Sequence, residues 1–244
     1  MIRTIILFII IVLFLVFSFP ILIYEAILGK RNPAARDKSA LAWAKWAFGI
    51  VLGICGTKVT VKGVENIPTD RSVLYICNHQ SYFDIIINYM YVPTPTGFIS
   101  KKEVEKVPSL RSWMRNLRCL FLDRDDIKQS LGIILKAIDY VKEGISIFIF
   151  PEGTRTKDEY EILPFKAGSF KIATKSGCEI VPVSINNSAA IFEKQFPKIK
   201  KAHVVLEYGK PISTKDLDKE QLKALHDRVR DEIIAMHDAN KELV

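Results

Sequence analysis

The chain has 244 residues and a formal net charge of +8, from 35 Lys and Arg against 27 Asp and Glu. That length builds one large domain with room for a cleft, and the basic excess calls for an anionic partner: nucleic acid, a membrane surface or a phosphorylated substrate. Cys55, Cys77, Cys119 and Cys178 lie far apart within apolar runs, and His203, His226 and His237 lack ligand spacing. Reduced, buried thiols are expected, with neither a disulfide framework nor a metal site.

Residues 4–24 carry no charge and read almost wholly apolar, IILFIIIVLFLVFSFPILI. As a helix this run reaches roughly 30 Å, about one hydrocarbon core. No small-x-small cleavage pattern follows it, so the run is expected to be retained and to sit in lipid. Pro20 removes a backbone bond and should kink the helix near its end. Lys30, Arg31, Arg36 and Lys38 follow the run against Arg3 before it, which places the body of the protein on the cytoplasmic face.

A second apolar stretch, SALAWAKWAFGIVLGIC over residues 39–55, carries Trp43, Lys45 and Trp46, residues suited to the headgroup boundary. Residues 1–56 are therefore read as a membrane-associated pair of helices joined by a basic turn, spanning the bilayer or dipping into one leaflet. A second helix packed on the domain as core is the competing reading.

Beyond Gly56, β-rich runs at 57–63, 72–77, 97–100, 118–123, 145–150, 179–185 and 202–208 alternate with helical patterns at 82–91, 109–116, 126–143 and 166–176. Residues 215–242 carry Leu222, Leu225, Val229, Ile233 and Met236 at steps of three and four, an amphipathic helix packing on the domain. The alternation predicts an α/β domain over residues 57–244, with a largely parallel mixed sheet of about seven strands flanked by helices.

Two constellations carry chemistry. In ICNHQSYFD, His79 and Asp84 stand five positions apart. In a helix that separation turns through roughly 500°, and in a strand it puts the residues on opposite faces, so neither regular element brings them together. They meet if a strand ends near Cys77, His79 occupies the turn and Asp84 lies in the first turn of a helix. Ser81 with Asp84 three residues on has the form of a capping box for that helix. Asp84 could then hold the Nδ1 proton of His79 and leave Nε2 to take a proton from a hydroxyl. A plain cap beside a polar turn residue explains the same residues equally well, and Cys77 offers a thiol only if burial does not silence it.

The second constellation, FIFPEGTR, runs from a buried strand through Pro151, Glu152, Gly153, Thr154 and Arg155. It offers a carboxylate, a hydroxyl and a guanidinium at a strand end, the last suited to a phosphate dianion. An exposed turn with an ordinary ion pair is the alternative.

Taken together, NHQSYFD and FPEGTR about seventy residues later resemble the glycerolipid acyltransferases, most closely the 1-acyl-sn-glycerol-3-phosphate acyltransferases. FISKKEVEKVPSLRSWMRNLRCLFLDR is similar to that family's middle motif and IVPVSI to its fourth, so the resemblance covers residues 58–206. After Pro108 the family commonly has an aromatic-glycine pair where SLRSWMR stands here, a change in the pocket wall.

The resemblance implies that His79, oriented by Asp84, deprotonates the free hydroxyl of lysophosphatidic acid for direct attack on an acyl thioester, with no acyl-enzyme. Acyl-CoA or acyl-carrier protein would be the co-substrate, the bilayer a partner, and no cofactor or nucleic acid would be needed. Arg155 with Lys101 or Lys102 would hold the phosphate, with Gly153 and Thr154 beside it, and Glu152 would orient the glycerol. Backbone amides near Ser81 are the expected oxyanion donors. Other acceptors (glycerol-3-phosphate, another lysophospholipid, a lipid A precursor) and a non-catalytic module that binds anionic lipid remain open readings.

Overall fold

The computed structural model describes residues 1–158 and 161–244. Three helices come first: α1 (Ile2–Phe17), α2 (Phe19–Arg31) and α3 (Pro33–Cys55). The expected single kinked helix is two, bent by 48° at Ser18. Pro20 in the first turn of α2 has no N–H to continue the ladder. The bend is fastened from outside, since Ser109 donates to the Leu15 carbonyl at 2.7 Å and the Trp113 indole N–H to Ser18 Oγ at 2.8 Å.

The expected basic turn is a single residue, Asn32, whose side chain caps α3 by accepting from Ala35 N at 3.0 Å, with Pro33 preset at the first helical position. The basic residues belong to the helices themselves. Helix α3 is long and apolar enough to cross a membrane, as are α1 and α2 taken as one bent span.

Seven strands follow among the described residues: β1 (Lys58–Lys62), β2 (Leu74–Cys77), β3 (Thr96–Lys101), β4 (Leu120–Leu122), β5 (Ser146–Ile149), β6 (Ile180–Asn186) and β7 (His203–Tyr208). They form one sheet in the order β1-β7-β6-β2-β5-β3-β4. The five from β6 to β4 run parallel, while β7 is antiparallel to β6 and carries β1 parallel to itself. Between them lie α4 (Phe83–Tyr91), α5 (Pro108–Asn116), α6 (Ile127–Lys142), α7 (Lys171–Ser176) and α8 (Lys219–Ala239). The fold is the expected α/β architecture.

Two apolar layers cover the sheet. On one face, α3 and α4 pack on Tyr75, Phe98 and Phe148, whose rings stack at 5.4 and 4.4 Å between centroids. On the other, α6, α7 and α8 cover Ile76, Ile147 and Ile149. Because α3 contributes Ala40, Leu41, Ala44, Val51, Leu52 and Cys55 to the first layer, the core continues past the boundary expected at residue 56.

The connections place the site. From β2 the chain leaves into α4 on one face, and from the adjacent β5 it leaves through residues 167–176 onto the other. Their next strands, β3 and β6, lie on opposite sides of this pair. Chains diverging from neighbouring strands open a crevice at the carboxyl ends, where open α/β sheets bind ligands.

Candidate active site

His79 follows β2 and Glu152 follows β5, so both constellations reach this crevice. His79 Nδ1 lies 2.7 Å from Asp84 Oδ2, as the spacing argument anticipated. The same oxygen accepts from Gln80 N and Ser81 N, each at 2.8 Å, while Asp84 Oδ1 accepts from Ser188 Oγ. With its other acceptor roles filled by three donors, Asp84 accepts the hydrogen bond from Nδ1–H of His79, which leaves Nε2 facing away from the carboxylate. The ring stacks on Phe150 at 4.0 Å and 16°, which fixes its plane.

The capping box expected at Ser81 is only half formed. Asp84 accepts from Ser81 N, but Ser81 Oγ takes the amide of Phe83 at 3.0 Å, and α4 begins at Phe83. The amides expected to hold an oxyanion are likewise occupied. Gln80 N and Ser81 N serve Asp84, Tyr82 N donates to Glu193 Oε1 at 2.8 Å, and Asp84 N bonds the Ser81 carbonyl. Orienting the dyad uses the donors that the helix start would otherwise offer to substrate.

Glu152 turns inward. Its Oε1 accepts from His79 N at 2.7 Å and its Oε2 from Leu163 N at 3.1 Å, and the residue is 5% exposed. The expected contact with a glycerol hydroxyl is therefore replaced by contacts with the protein's own backbone, because burial leaves those amides as its partners. Burial pushes its carboxyl up to about 7, against the lowering effect of the two amides. Thr156 N adds a second tie by donating to the His79 carbonyl at 2.9 Å, so His79 is held at both backbone groups by the second motif and the residue after it.

Gly153 makes the turn with φ +76°, a left-handed conformation that other residues adopt only with strain, so the position favours glycine. Thr154 is exposed at the rim. Arg155 comes to the dyad side of the crevice: its guanidinium lies 3.7 Å over the Tyr82 ring and Nη1 donates to Glu193 Oε1 at 3.2 Å.

Lys101 ends β3 and Lys102 follows it on the same carboxyl edge, with β5 between them and β2. At about 4.8 Å per strand they stand near 10 Å from the His79 strand, and they are exposed, paired with Glu103 and Asp123. Cys77 is fully buried and its thiol is pushed well above its ordinary value, first by desolvation and then by Asp84 and Glu152, which silences it as a nucleophile.

Three site residues escaped the sequence reading. Ser188 steadies Asp84; Glu193 gathers Ser81 Oγ, Tyr82 N and Arg155. Asn78 exchanges two 2.9 Å hydrogen bonds with the backbone of Ile185, prolonging the β2–β6 ladder by a side-chain amide. Ser188 stands 104 positions from Asp84, and Glu193 stands 38 from Arg155 and 111 from Tyr82, where no local pattern reports them. Asn78 sits inside the quoted motif and was the legible one.

A family model described as Acyltransferase matches residues 58–186, more than half of the chain and the part that holds both constellations. The chain belongs to the acyltransferase family. It is 30% identical over 193 residues to the 1-acyl-sn-glycerol-3-phosphate acyltransferase of Saccharomyces cerevisiae, covering 78% of this chain and 63% of that one. The Borreliella burgdorferi protein of the same description is 30% identical over 185 residues, 76% of this chain and 74% of its own. The acyltransferase fold here matches the crystal structure of the 1-acyl-sn-glycerophosphate (LPA) acyltransferase PlsC from Thermotoga maritima, with TM-score 0.82, 28% identity, and coverage of 98% of this chain and 95% of that one. Against Brassica napus the chain spans 39% of its relative's length. Ser188 and Glu193 both lie beyond the matched segment.

Proposed function

We propose that this acyltransferase moves a fatty acyl group from an acyl thioester, acyl-CoA or acyl-carrier protein, to the free 2-hydroxyl of lysophosphatidate, giving phosphatidate. The observation that carries the reading is the His79 ring, fixed through Nδ1 on Asp84 and against Phe150, with Nε2 left without a partner among the described residues. Nε2 accepts the hydroxyl proton as the oxygen attacks the thioester carbonyl. The tetrahedral adduct then expels the thiolate, which takes that proton from the imidazolium. No acyl-enzyme is needed. Cys77 is buried, and Ser81 Oγ already donates to Glu193 at 2.7 Å.

Arg155 supports a phosphate-bearing acceptor. A guanidinium has five donors, of which Nη1 spends one on Glu193, and stacking on Tyr82 holds its plane toward the crevice. Lys101 and Lys102 supply further positive charge on the same edge. Glu152 acts on His79 through the backbone, and Gly153 and Thr154 shape the turn between them. The exposed apolar faces of α1 and α2, including Phe8, Val16, Phe17, Phe19 and Ile23, support a seat against the bilayer that holds acceptor and product, and the basic residues after the first apolar run favour the cytoplasmic side.

The test is transfer by the purified protein of a labelled acyl group from acyl-CoA and from acyl-carrier protein to lysophosphatidate, glycerol-3-phosphate, lysophosphatidylcholine and a lipid A precursor. Preferred labelling of lysophosphatidate is expected. Faster labelling of another acceptor would reassign the substrate, and tight lysophosphatidate binding with no transfer from either donor would make the chain a lipid-binding module.

A further inference from the structure

The segment between β6 and β7 does more than close the site. Its first part is bound to the crevice through Ser188 and Glu193. Its second part, FPKIKK over residues 196–201, points elsewhere. Phe196 is 74% exposed, and Lys194, Lys198, Lys200 and Lys201 are all exposed around it. The Phe196 ring meets Phe192 edge-on at 5.4 Å and otherwise faces water, an aromatic tip set among cations as at a headgroup boundary.

The loop also adjoins the N-terminal helices. Ile199 N donates to Thr4 Oγ1 at 3.0 Å, and Ile199 is buried in the same layer as Leu7 of α1. From that joint α1 presents Ile2, Ile5, Ile9, Val12 and Val16 outward, each at least 40% exposed. Phe196 stands three residues before that joint, on the segment that α1 ties down.

We propose that residues 196–201 are a second bilayer contact, with Phe196 entering the acyl-chain boundary and Lys198, Lys200 and Lys201 pairing with anionic lipid headgroups. The combination selects this occupant. Lysines alone would suit any acidic surface, including an acidic carrier protein, but an exposed ring on a segment joined to the apolar helix α1 suits an apolar phase beneath the charges. Because the other end of the loop grips Ser81, Tyr82 and Arg155, this contact seats the crevice at a fixed height above the lipid. The proposal shares with the functional reading only the placement of α1 in lipid, and the test separates the two.

The experiment uses the full chain with Cys178→Ser, since Cys55, Cys77 and Cys119 are buried. An environment-sensitive probe is attached at Phe196→Cys in one sample and at Ile9→Cys in another, and each is mixed with vesicles carrying brominated acyl chains. Quenching is expected at both positions with phosphatidylglycerol-containing vesicles. Adding Lys198→Glu and Lys200→Glu should remove it at position 196 while leaving position 9 unchanged. Quenching at 9 without quenching at 196 would overturn the loop contact and spare the membrane placement of α1; absence at both would overturn both. Equal quenching at 196 in purely zwitterionic vesicles would overturn the anionic pairing. A response at 196 to acyl-carrier protein but not to vesicles would assign the surface to a protein instead.

Discussion

Each constellation contains one buried carboxylate, and the two are used in opposite ways. Asp84 lies on α4 and collects a ring N–H, two backbone amides and a hydroxyl, so four donors fix a group that in turn fixes a side chain. Glu152 lies in a turn and collects two backbone amides, so it fixes the chain that bears that side chain. One orients the imidazole about its bonds and the other sets where the imidazole begins. Two carboxylates with similar burial thus do different work because of what they touch.

The largest effect should come from breaking the ring contact. His79→Ala is expected to lower kcat by at least the ~10²-fold typical of losing a general base, with the apparent KM for lysophosphatidate little changed. Steady-state kinetics on both substrates checks this. Asp84→Asn should match it in rate and lose stability as well, because one of its acceptor oxygens becomes a donor facing other donors. Near-normal turnover in either variant would end the general-base mechanism.

Next is Arg155→Ala, which should raise the acceptor KM much more than the donor KM, by about tenfold or more for a charge-assisted contact of 1.5–3 kcal/mol. A donor-side effect would move Arg155 to the phosphates of coenzyme A.

Glu152→Gln sharpens the contrast further. It should cost about 1–3 kcal/mol of stability, since one of two buried amides loses its acceptor, and slow turnover less than His79→Ala does. The pH dependence gives a second reading. The folded carboxyl titrates at about 7, above its ordinary value of 4.5, so between those values the folded state holds a proton that the unfolded state has lost. Stability from this group is full below the lower value and declines as pH rises through the upper one. Thermal melts of wild type and Glu152→Gln should therefore converge from about pH 5 to about pH 8. A constant gap would mean that Glu152 stays ionised throughout.

The smallest effect is expected far from the crevice. Trp113→Phe removes the indole bond to Ser18 but keeps the ring near Phe14, so it should cost about 1 kcal/mol and leave kinetics on a short-chain acceptor unchanged. A melt in detergent and an assay on a soluble acceptor check it. The same Trp113 belongs to the SLRSWMR stretch that departs from the family's habit, and here it clasps the bend between α1 and α2.

Much of this was legible in one dimension. Alternating apolar runs located all seven strands to within two residues, because strand burial has a short period and the turns between are marked by Gly, Pro and Asn. Spacing and helix geometry made the His79–Asp84 pairing possible within one strand-turn-helix unit but left a plain cap equally open, and the 2.7 Å contact decides between them. The N-terminal break was foreseen through Pro20, but not the length of α3: Asn32 and Pro33 form a cap and first turn, and the charged residues after them disguised the helix. Arg36 and Arg118 both reach Asp37 there, so the charge is satisfied within the fold instead of marking a turn.

What the sequence determined by itself was what neighbours along the chain set: the strands, a turn that lets His79 and Asp84 meet, the glycine at 153 and the apolar N-terminus. Tertiary structure alone decided the use of each polar group. Glu152 faces His79 because β5 lies beside β2, an adjacency created by crossovers of many residues, and Ser188 and Glu193 enter because β6 flanks β2 on the other side. A hydrogen bond is satisfied by whichever donor the packed chain brings within about 3 Å, and packing, unlike periodicity, has no signature in local order.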